Sequence, residues 1–363
     1  MGTYPLRIVD RRQEAPDAVS LWLDVPRDLS TAFHYQVGQF VTIEEDIAGE
    51  WVRRQYSLSS VPGLDPGLRI TVKKVPGGRM STWLVNTVKV GDVLEVAAPR
   101  GRLYVPSDES RNYLFVAAGS GIAPLIAIAR HVLGANSGNR VTVAYGNRSV
   151  ETIILRAEVD SIVESSHAIV EHVLSRPGPG WSGATGHVDP EYLSRRWEAW
   201  NRSALPVAAF LCGPEEFMTA AEKFLLERGI AINDIRSESF DLVLNEDDDD
   251  DGATDLVIPK SAELIEPQPC SILIAIVGGE EIECVPKDNE PLLSALLRAG
   301  ADVPFSCQEG TCSSCIVKLR EGRVRVRPGV LQTLRPSDLD EGLVLACLSR
   351  ALTSTVKIDF DDL

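Results

Sequence analysis

The chain has 363 residues, of which 44% are hydrophobic and 24% charged, and its formal net charge is −16 at pH 7. This length allows roughly two or three domains, and the strong negative charge argues against a nucleic-acid partner. No apolar run approaches the about 18 residues of a membrane span, and the N-terminus lacks the apolar core of a signal peptide. Because the seven cysteines also suit a reducing compartment, we expect a cytoplasmic protein, and a monomer.

Residues 1–105 have the pattern of an all-β domain. Clusters of Gly, Pro and Asp separate short runs that are typical of strands. These runs lie at 18–23, 40–43, 68–72 and 93–97. The regular spacing of strands and turns predicts one domain over this segment.

Two motifs in this domain carry groups that could bind a cofactor. The first offers a guanidinium for a phosphate, an aromatic ring for stacking and a hydroxyl for hydrogen bonds; it comprises Arg54, Gln55, Tyr56 and Ser57. The second places glycines at an expected helix start, where free N–H groups would face an anion. It comprises Val72, Lys73, Gly78, Arg79, Met80 and Ser81. Each motif alone is also compatible with an ordinary strand and turn.

Residues 106–240 alternate strands and helices, which predicts an α/β domain with a parallel sheet. An apolar run at 113–118 leads into a glycine turn and a helix, and a later strand at 206–211 ends in a second turn. These turns contain Gly119, Ser120, Gly121, Ala123, Pro124, Cys212, Gly213 and Pro214. Open α/β sheets bind ligands at the carboxyl ends of such strands. The first turn is not a full G-x-G-x-x-G motif because its sixth position is proline, and Cys212 could also be a plain core thiol.

An acidic run separates this part of the chain from the C-terminal part. Glu246 and the five following aspartates repel one another and cannot pack, which predicts a flexible linker over residues 241–269. Just before the linker stand Glu238 and Phe240, which would ordinarily be a surface residue and a core residue.

Four cysteines in residues 270–363 have the spacing of a plant-type [2Fe–2S] cluster. Cys307, Cys312 and Cys315 lie on one short loop, and Cys347 follows at a distance. A zinc site would need a second close pair of ligands, which Cys347 lacks, although Cys347 could also be a buried thiol. The cysteine pattern therefore favours a carrier of single electrons.

The cluster loop resembles plant-type ferredoxins, which implies a β-grasp (α+β) domain. The barrel motifs resemble the antiparallel flavin barrel of the ferredoxin–NADP reductase superfamily, whose Arg-x-Tyr-Ser signature matches Arg54, Tyr56 and Ser57. That resemblance implies that Arg54 holds the flavin pyrophosphate, Tyr56 packs on the isoalloxazine and Ser57 contacts its N5 edge. The turn from Gly78 to Ser81 would receive the pyrophosphate, and the pyrophosphate-type arginine implies FAD rather than FMN.

The α/β segment resembles the nicotinamide-binding half of the same superfamily. This implies that Cys212 approaches the nicotinamide, that Phe240 shields the flavin, and that Glu238 hydrogen-bonds near Ser57 and helps to manage the N5 proton. Ser57, Glu238 and Cys212 are then the expected catalytic residues.

The domain order resembles single-chain oxygenase reductases of the phenylacetyl-CoA epoxidase and 3-ketosteroid 9α-hydroxylase group. The implied function is transfer of electrons from NAD(P)H through FAD and a [2Fe–2S] cluster, singly, to a Rieske or di-iron oxygenase or its ferredoxin. A cytochrome P450 or a quinone-type acceptor is an alternative, and a non-catalytic redox sensor is a distant one. Arg148 and Ser149 would suit the phosphate of NADPH and Glu151 the ribose of NADH; we favour NADH.

Overall fold

The computed structural model describes residues 3–49, 51–101, 103–104, 107–238, 256–258, 270–305, 310, 315–327, 334 and 336–362. The chain divides into two units, Gly2–Asp241 and Leu242–Leu363 (with Met1). The predicted site residues Phe240, Cys307 and Cys312 lie outside the described residues.

The first part of the N-terminal unit is a six-stranded antiparallel sheet. Its elements are β1 (Thr3–Ala15), β2 (Ala18–Asp24), β3 (Phe40–Asp46), β4 (Trp51–Ser57), β5 (Leu68–Lys73), α1 (Arg79–Asn86) and β6 (Val93–Ala97). The strand order is β4-β3-β6-β1-β2-β5, and every neighbouring pair is antiparallel. The two edges meet where Leu58 bridges Ile70, and the Ser59 N–H donates to the Arg69 carbonyl at 2.9 Å. This closure makes the sheet a barrel, as predicted.

The barrel forms because alternate residues of its strands are apolar and point inward. In β1, Leu6 and Ile8 are fully buried while their neighbours are exposed. They pack in one cluster with Leu21 and Ile70 of the neighbouring strands and Leu84 of α1.

The second part of this unit is a six-stranded sheet in which every pair is parallel. Its elements are β7 (Asn112–Ala118), α2 (Ile122–Ala135), β8 (Arg140–Asn147), α3 (Arg156–Ser161), β9 (Ala168–Leu174), β10 (Ala184–Thr185), α4 (Pro190–Trp200), β11 (Val207–Cys212), α5 (Glu215–Glu227) and β12 (Ile235–Glu238). The order β10-β9-β8-β7-β11-β12 reverses at β7, which places the topological switch point between β7 and β11.

Both faces of this sheet are covered, which is why β7 and β11 are continuous apolar runs. Phe115 and Phe210 point to the face covered by α2, and their rings stack at 5.3 Å. Leu114 and Leu211 point to the opposite face, where Trp197 of α4 packs.

The C-terminal unit contains two sheets and the predicted β-grasp arrangement. Its elements are β13 (Leu256–Ile258), β14 (Ile272–Val277), β15 (Glu280–Cys284), α6 (Leu292–Arg298), β16 (Ile316–Glu321), β17 (Val324–Val326), α7 (Pro336–Asp340), β18 (Leu343–Leu345), β19 (Ser349–Ala351) and β20 (Thr355–Asp359). The larger sheet, β15-β14-β20-β16-β18, is mixed because β14 and β20 are parallel. Leucines of α6 share its core with Leu273 and Val356.

The predicted linker differs from the structure in one short segment. β13 pairs with β17, and Ile258 stands opposite Val324 in this pairing. Both of these side chains are fully buried. The burial of Ile258 against Val324 helps to hold this segment in the smaller sheet, whose order is β13-β17-β19. The rest of residues 241–269 lies outside the described residues. Among the described helices, none combines the length and the apolar character that crossing a bilayer requires.

Candidate active site

The two turns predicted from the α/β pattern meet at the switch point. β7 and β11 are neighbours with Ala117 opposite Cys212, so the turns that follow them leave the sheet side by side. A Cβ on Gly121 would stand 2.1 Å from the Cys212 carbonyl oxygen and 2.5 Å from its carbonyl carbon. Only glycine permits this approach of two main chains, so Gly121 is what allows the turns to form one surface.

A buried tyrosine supports the first turn from behind. The Tyr145 hydroxyl lies 2.9 Å from the Gly119 carbonyl oxygen, to which it donates, and the Ile154 N–H donates to the same hydroxyl at 3.3 Å. Burial raises the pKa of Tyr145 far above its usual value, so this hydroxyl remains a neutral donor. The turn is therefore fixed before any ligand binds.

Ser57 of the barrel and Glu238 of the α/β sheet are in direct contact. Ser57 is only 4% exposed, and its Oγ donates to Glu238 Oε2 at 3.1 Å. Glu238 stands opposite Cys212 in the parallel pairing of β11 and β12. The three residues expected to be catalytic are thus brought together.

The carboxyl of Glu238 has an unusual proton affinity. Desolvation by burial raises its pKa to about 7, and the hydrogen bond from Ser57 offsets only part of that rise. A carboxyl with this pKa exchanges a proton at neutral pH, as a general acid or base requires. Perturbed carboxyls of this kind cluster at functional sites.

The barrel motif beside Ser57 offers groups suited to a flavin nucleotide. Tyr56 is partly buried and desolvation raises its pKa, so its ring remains neutral. Arg54 is exposed, and its guanidinium donates to the Arg53 carbonyl at 2.7 Å. Gln55 is partly buried on the same strand.

The second barrel motif forms a tight turn into α1. A Cβ on Gly78 would stand 2.6 Å from Ser81 Oγ, and that hydroxyl accepts a hydrogen bond from the Val75 N–H at 3.1 Å. The first turn of α1, which begins at Arg79, presents backbone N–H groups of the kind that bind phosphates. This cradle, which a Cβ would fill, fits a pyrophosphate.

Three residues of the predicted flavin set have side chains that face elsewhere. Val72 and Met80 are each 1% exposed and pack in the barrel core, so only their main chain could reach a cofactor. Lys73 lines a cleft on the α/β side rather than the turn at Gly78.

That cleft, of about 330 Å³, lies at the carboxyl ends of the parallel strands. Its lining combines both switch-point turns with residues from four further segments: Asp17, Lys73, Ala118, Gly119, Ser120, Gly121, Gly146, Asn147, Arg148, Thr152, Gly186, His187, Val188, Gly213, Pro214 and Phe217. Main-chain amides and two cationic side chains are the groups that a dinucleotide diphosphate requires. The cleft therefore fits a nicotinamide coenzyme.

Several of these residues escape the sequence analysis. His187 follows β10, a strand of two residues that is too short to recognise from its pattern, and Asp17 lies in a barrel hairpin far from any coenzyme motif. Thr152 is held by its hydrogen bonds to the main chain of Ser149, at 3.0 and 2.9 Å. His187 could have been found only from the rule that the carboxyl ends of all parallel strands lie at one edge of a sheet.

Of the residues that bear on the choice between NADH and NADPH, one lines the cleft and another does not. Arg148 lines the cleft, whereas Glu151 is exposed and is not among the residues that the structure places in the lining. A hydrogen bond with the Ser149 side chain lowers the pKa of Glu151, so the group is ionised at neutral pH.

In the C-terminal unit, the described parts of the cysteine site converge. Cys315 and Cys347 are 2% and 6% exposed, and the Ala346 N–H donates to the Cys315 carbonyl at 2.9 Å. A Cβ on Gly310 would stand 2.2 Å from Leu348 Cδ1, so glycine at this position leaves room for Leu348, the neighbour of Cys347. Buried thiols on two adjoining segments fit the ligand set of an iron–sulfur cluster.

Comparison with known proteins defines the class. Family models match the chain in order: the oxidoreductase FAD-binding domain at residues 5–104, the oxidoreductase NAD-binding domain at 115–223 and the 2Fe–2S iron–sulfur cluster binding domain at 275–352. The protein is therefore an NAD(P)H-dependent flavin and iron–sulfur oxidoreductase.

Relatives over the full length define the family. The chain is 32% identical to the ferredoxin reductase component of the 3-ketosteroid-9-alpha-monooxygenase of Mycolicibacterium smegmatis, covering 98% of this chain and 97% of that protein. It is 29% identical to a component of the 1,2-phenylacetyl-CoA epoxidase of Escherichia coli, covering 99% and 98%. The chain belongs to this family of reductase components. The crystal structure of an intact type IV self-sufficient cytochrome P450 monooxygenase shares the fold, with a TM-score of 0.65 and 21% identity over 98% of this chain and 41% of that chain.

Proposed function

We propose that this protein oxidises NAD(P)H and passes the electrons one at a time to a terminal oxygenase of Rieske or di-iron type, or to the ferredoxin of that oxygenase. The observation that carries the proposal is the contact of Ser57 in the barrel with Glu238, which stands beside Cys212 and hence beside the turn at Gly121. FAD, when bound, accepts a hydride and can release its electrons singly, and a [2Fe–2S] cluster carries one electron at a time.

The α/β cleft binds and orients the coenzyme. Gly119, Ser120 and Gly121 receive the diphosphate on their amides, and Lys73 and Arg148 add positive charge. Ala123 and Pro124, at the start of α2, hold the turn in place, since both are buried. NADH is the coenzyme that we favour.

The second turn receives the nicotinamide ring. Cys212 is fully buried against Gly121, and Gly213 and Pro214 line the cleft. A nicotinamide ring against this turn would be shielded from water on one side. Ser57 of the barrel would lie near it, because Ser57 contacts Glu238 and Glu238 stands opposite Cys212.

Ser57 and Glu238 manage the proton that must leave the site when a hydride is converted into two single electrons. The Ser57 hydroxyl can pass a proton along its 3.1 Å hydrogen bond to Glu238, whose pKa of about 7 lets it take up and return a proton at neutral pH.

The barrel holds FAD through residues of its two motifs. Arg54 and the turn from Gly78 to Ser81, with Arg79 at the helix start, bind the pyrophosphate, and Tyr56 packs on the ring system. Gln55, Val72 and Met80 contribute main-chain positions in the two strands and the turn. Phe240, which the superfamily resemblance expects to shield the flavin, lies outside the described residues.

The C-terminal unit holds the cluster through Cys307, Cys312, Cys315 and Cys347. The convergence of Cys315, Gly310 and the segment of Cys347 supports this assignment. Cys270 and Cys284 are free thiols, which supports a cytoplasmic location for a protein that we expect to be a monomer.

An anaerobic absorption titration tests the function. The purified protein should show flavin and iron–sulfur absorbance, about one equivalent of NADH or NADPH should bleach the flavin, and more should bleach the cluster. A bound nucleotide that is not FAD, or a flavin that neither coenzyme reduces, would contradict the proposal. Electron acceptors are then compared: a Rieske or di-iron oxygenase should support faster turnover than a cytochrome P450 or a quinone.

A further inference from the structure

One turn of the barrel reaches into the coenzyme cleft. β1 and β2 pair with Ala15 opposite Ala18, so Pro16 and Asp17 form a two-residue turn between them. Asp17 and Lys73 are the lining residues that come from the barrel, and all the others come from the α/β domain. The barrel thus presents one carboxylate and one ammonium to whatever occupies the cleft.

The turn is held against both neighbouring segments. The Asp17 carbonyl accepts the Lys74 N–H at 2.7 Å, and three residues earlier on the same hairpin Glu14 Oε2 accepts the Leu155 N–H at 3.2 Å. Leu155 has a left-handed backbone, with φ of 54°, and this bond helps to hold that strained conformation in place. These bonds fix the position of Asp17 without using its side chain.

The Asp17 carboxylate has one oxygen that calls for a donor. Its Oδ1 is buried and receives no hydrogen bond from the residues that the structure describes. A buried carboxylate oxygen without a donor costs free energy. Because this oxygen is shielded from water, the Asp17 side chain, which lines the cleft, must turn before a ligand with a hydroxyl or amino group can supply the missing hydrogen bond.

Lys73 places the ligand's anionic part. Its ammonium nitrogen lies 3.5 Å from the position of a Cβ on Gly119, and hence over the turn whose amides bind a diphosphate. In NAD(P)H the diphosphate is bonded on each side to a ribose, and the ribose hydroxyls are the nearest donors to it.

We propose that Asp17 is a coenzyme-binding residue supplied by the flavin barrel, which accepts a hydrogen bond from a ribose hydroxyl of NAD(P)H while Lys73 holds the diphosphate. The inference rests on the proposed function of the cleft. Because one lobe supplies the turns and the other supplies Asp17, the bound coenzyme bridges the two lobes of the N-terminal unit.

Calorimetric binding of NAD⁺ and of ADP-ribose to the oxidised holoprotein tests the assignment. Asp17→Ala should raise the Kd of both ligands about tenfold, since a hydrogen bond to a charged group is lost. Asp17→Asn should have a smaller effect because its amide oxygen still accepts a hydrogen bond. Asp10→Ala is the matched control: Asp10 lies on β1, the strand that leads into the turn of Asp17, is exposed and accepts the Arg11 N–H at 2.8 Å. Its Kd values should equal those of the unmodified protein.

Unchanged Kd values in both Asp17 variants would overturn the inference, as would an equal loss in the Asp10 control. If only NAD⁺ binding weakened, the partner would be the nicotinamide carboxamide and the ribose assignment would be wrong. Flavin absorbance checks that each variant is folded, and Asp17→Asn serves if Asp17→Ala loses FAD. If NADH reduces the unmodified protein but the Asp17 variants bind NAD⁺ and ADP-ribose normally, only the assignment of Asp17 is wrong. If neither NADH nor NADPH reduces the unmodified protein, the proposed function is wrong as well.

Discussion

Substitution of Glu238 by glutamine should remove the pH dependence of turnover. The pKa of Glu238 is about 7, so roughly one-tenth of the molecules carry the carboxylate at about pH 6 and roughly nine-tenths at about pH 8. If the carboxylate takes up the proton passed by Ser57, NADH-dependent reduction of a one-electron acceptor rises roughly tenfold across this range. The glutamine accepts a hydrogen bond from Ser57 but no proton, so Glu238→Gln should be slow and flat with pH.

Stopped-flow kinetics locate the effect in the cycle. Flavin bleaching by NADH, which transfers a hydride and requires no proton from the chain, should be equally fast in both proteins, whereas reoxidation should differ. Glu222→Gln is the matched control, since burial also raises the pKa of Glu222, which lies on α5. A tenfold pH dependence that survives in Glu238→Gln, or that disappears in Glu222→Gln, would refute the reasoning.

The same pKa has a consequence for stability. Below the ordinary value of 4.5, Glu238 is protonated in the folded and unfolded chain alike; between 4.5 and about 7 only the folded chain retains the proton. The contribution of Glu238 to the free energy of unfolding is therefore greatest below pH 4.5. It falls by about 3 kcal/mol as the pH rises from 4.5 through about 7. Glu238→Gln cannot ionise and does not show this loss. The difference between its midpoint temperature for thermal flavin release and that of the unmodified protein should therefore increase in its favour from about pH 5 to about pH 8. A constant difference would show that Glu238 is not desolvated.

Three further substitutions test other parts of the site. Gly121→Ala places a Cβ 2.1 Å from a main-chain carbonyl oxygen and should raise the KM for NADH at least about tenfold, whereas Gly134→Ala, which meets nothing within 4 Å, should leave it unchanged. Cys347→Ser should abolish cluster absorbance and cytochrome c reduction but retain NADH-dependent reduction of ferricyanide, which takes single electrons from the flavin; Cys284→Ser is the control thiol in the same unit, and equal losses in both would argue against the ligand assignment. Arg148→Ala should weaken NADPH about tenfold more than NADH if its guanidinium binds the 2′-phosphate, and equal KM changes would remove it from coenzyme selection.

The sequence predicted the parts of the site that are local. The turn at Gly121 and the turn at Cys212 are short motifs that follow recognisable buried strands, and the parallel sheet brings them together by its topology alone. Asp17 could not be found in this way because its role depends on a barrel hairpin that packs on another domain. The strand around Ile258 was missed because three apolar residues in a polar segment give no periodicity.

Two ion pairs join the barrel to the α/β domain within the N-terminal unit. Arg130 of α2 makes two 2.8 Å hydrogen bonds to the Asp65 carboxylate of the barrel, and Arg69 of β5 bonds Glu158 of α3 at 2.8 Å with its own side chain 4% exposed. Removing one partner of a buried pair leaves the other charge uncompensated, so these contacts resist separation of the lobes. They tie α2, which follows the Gly121 turn, and α3, which follows the Arg148 segment, to the barrel. The hydrogen bond from Ser57 to Glu238 joins the same two parts of the unit, so these ion pairs help to keep the two residues in contact.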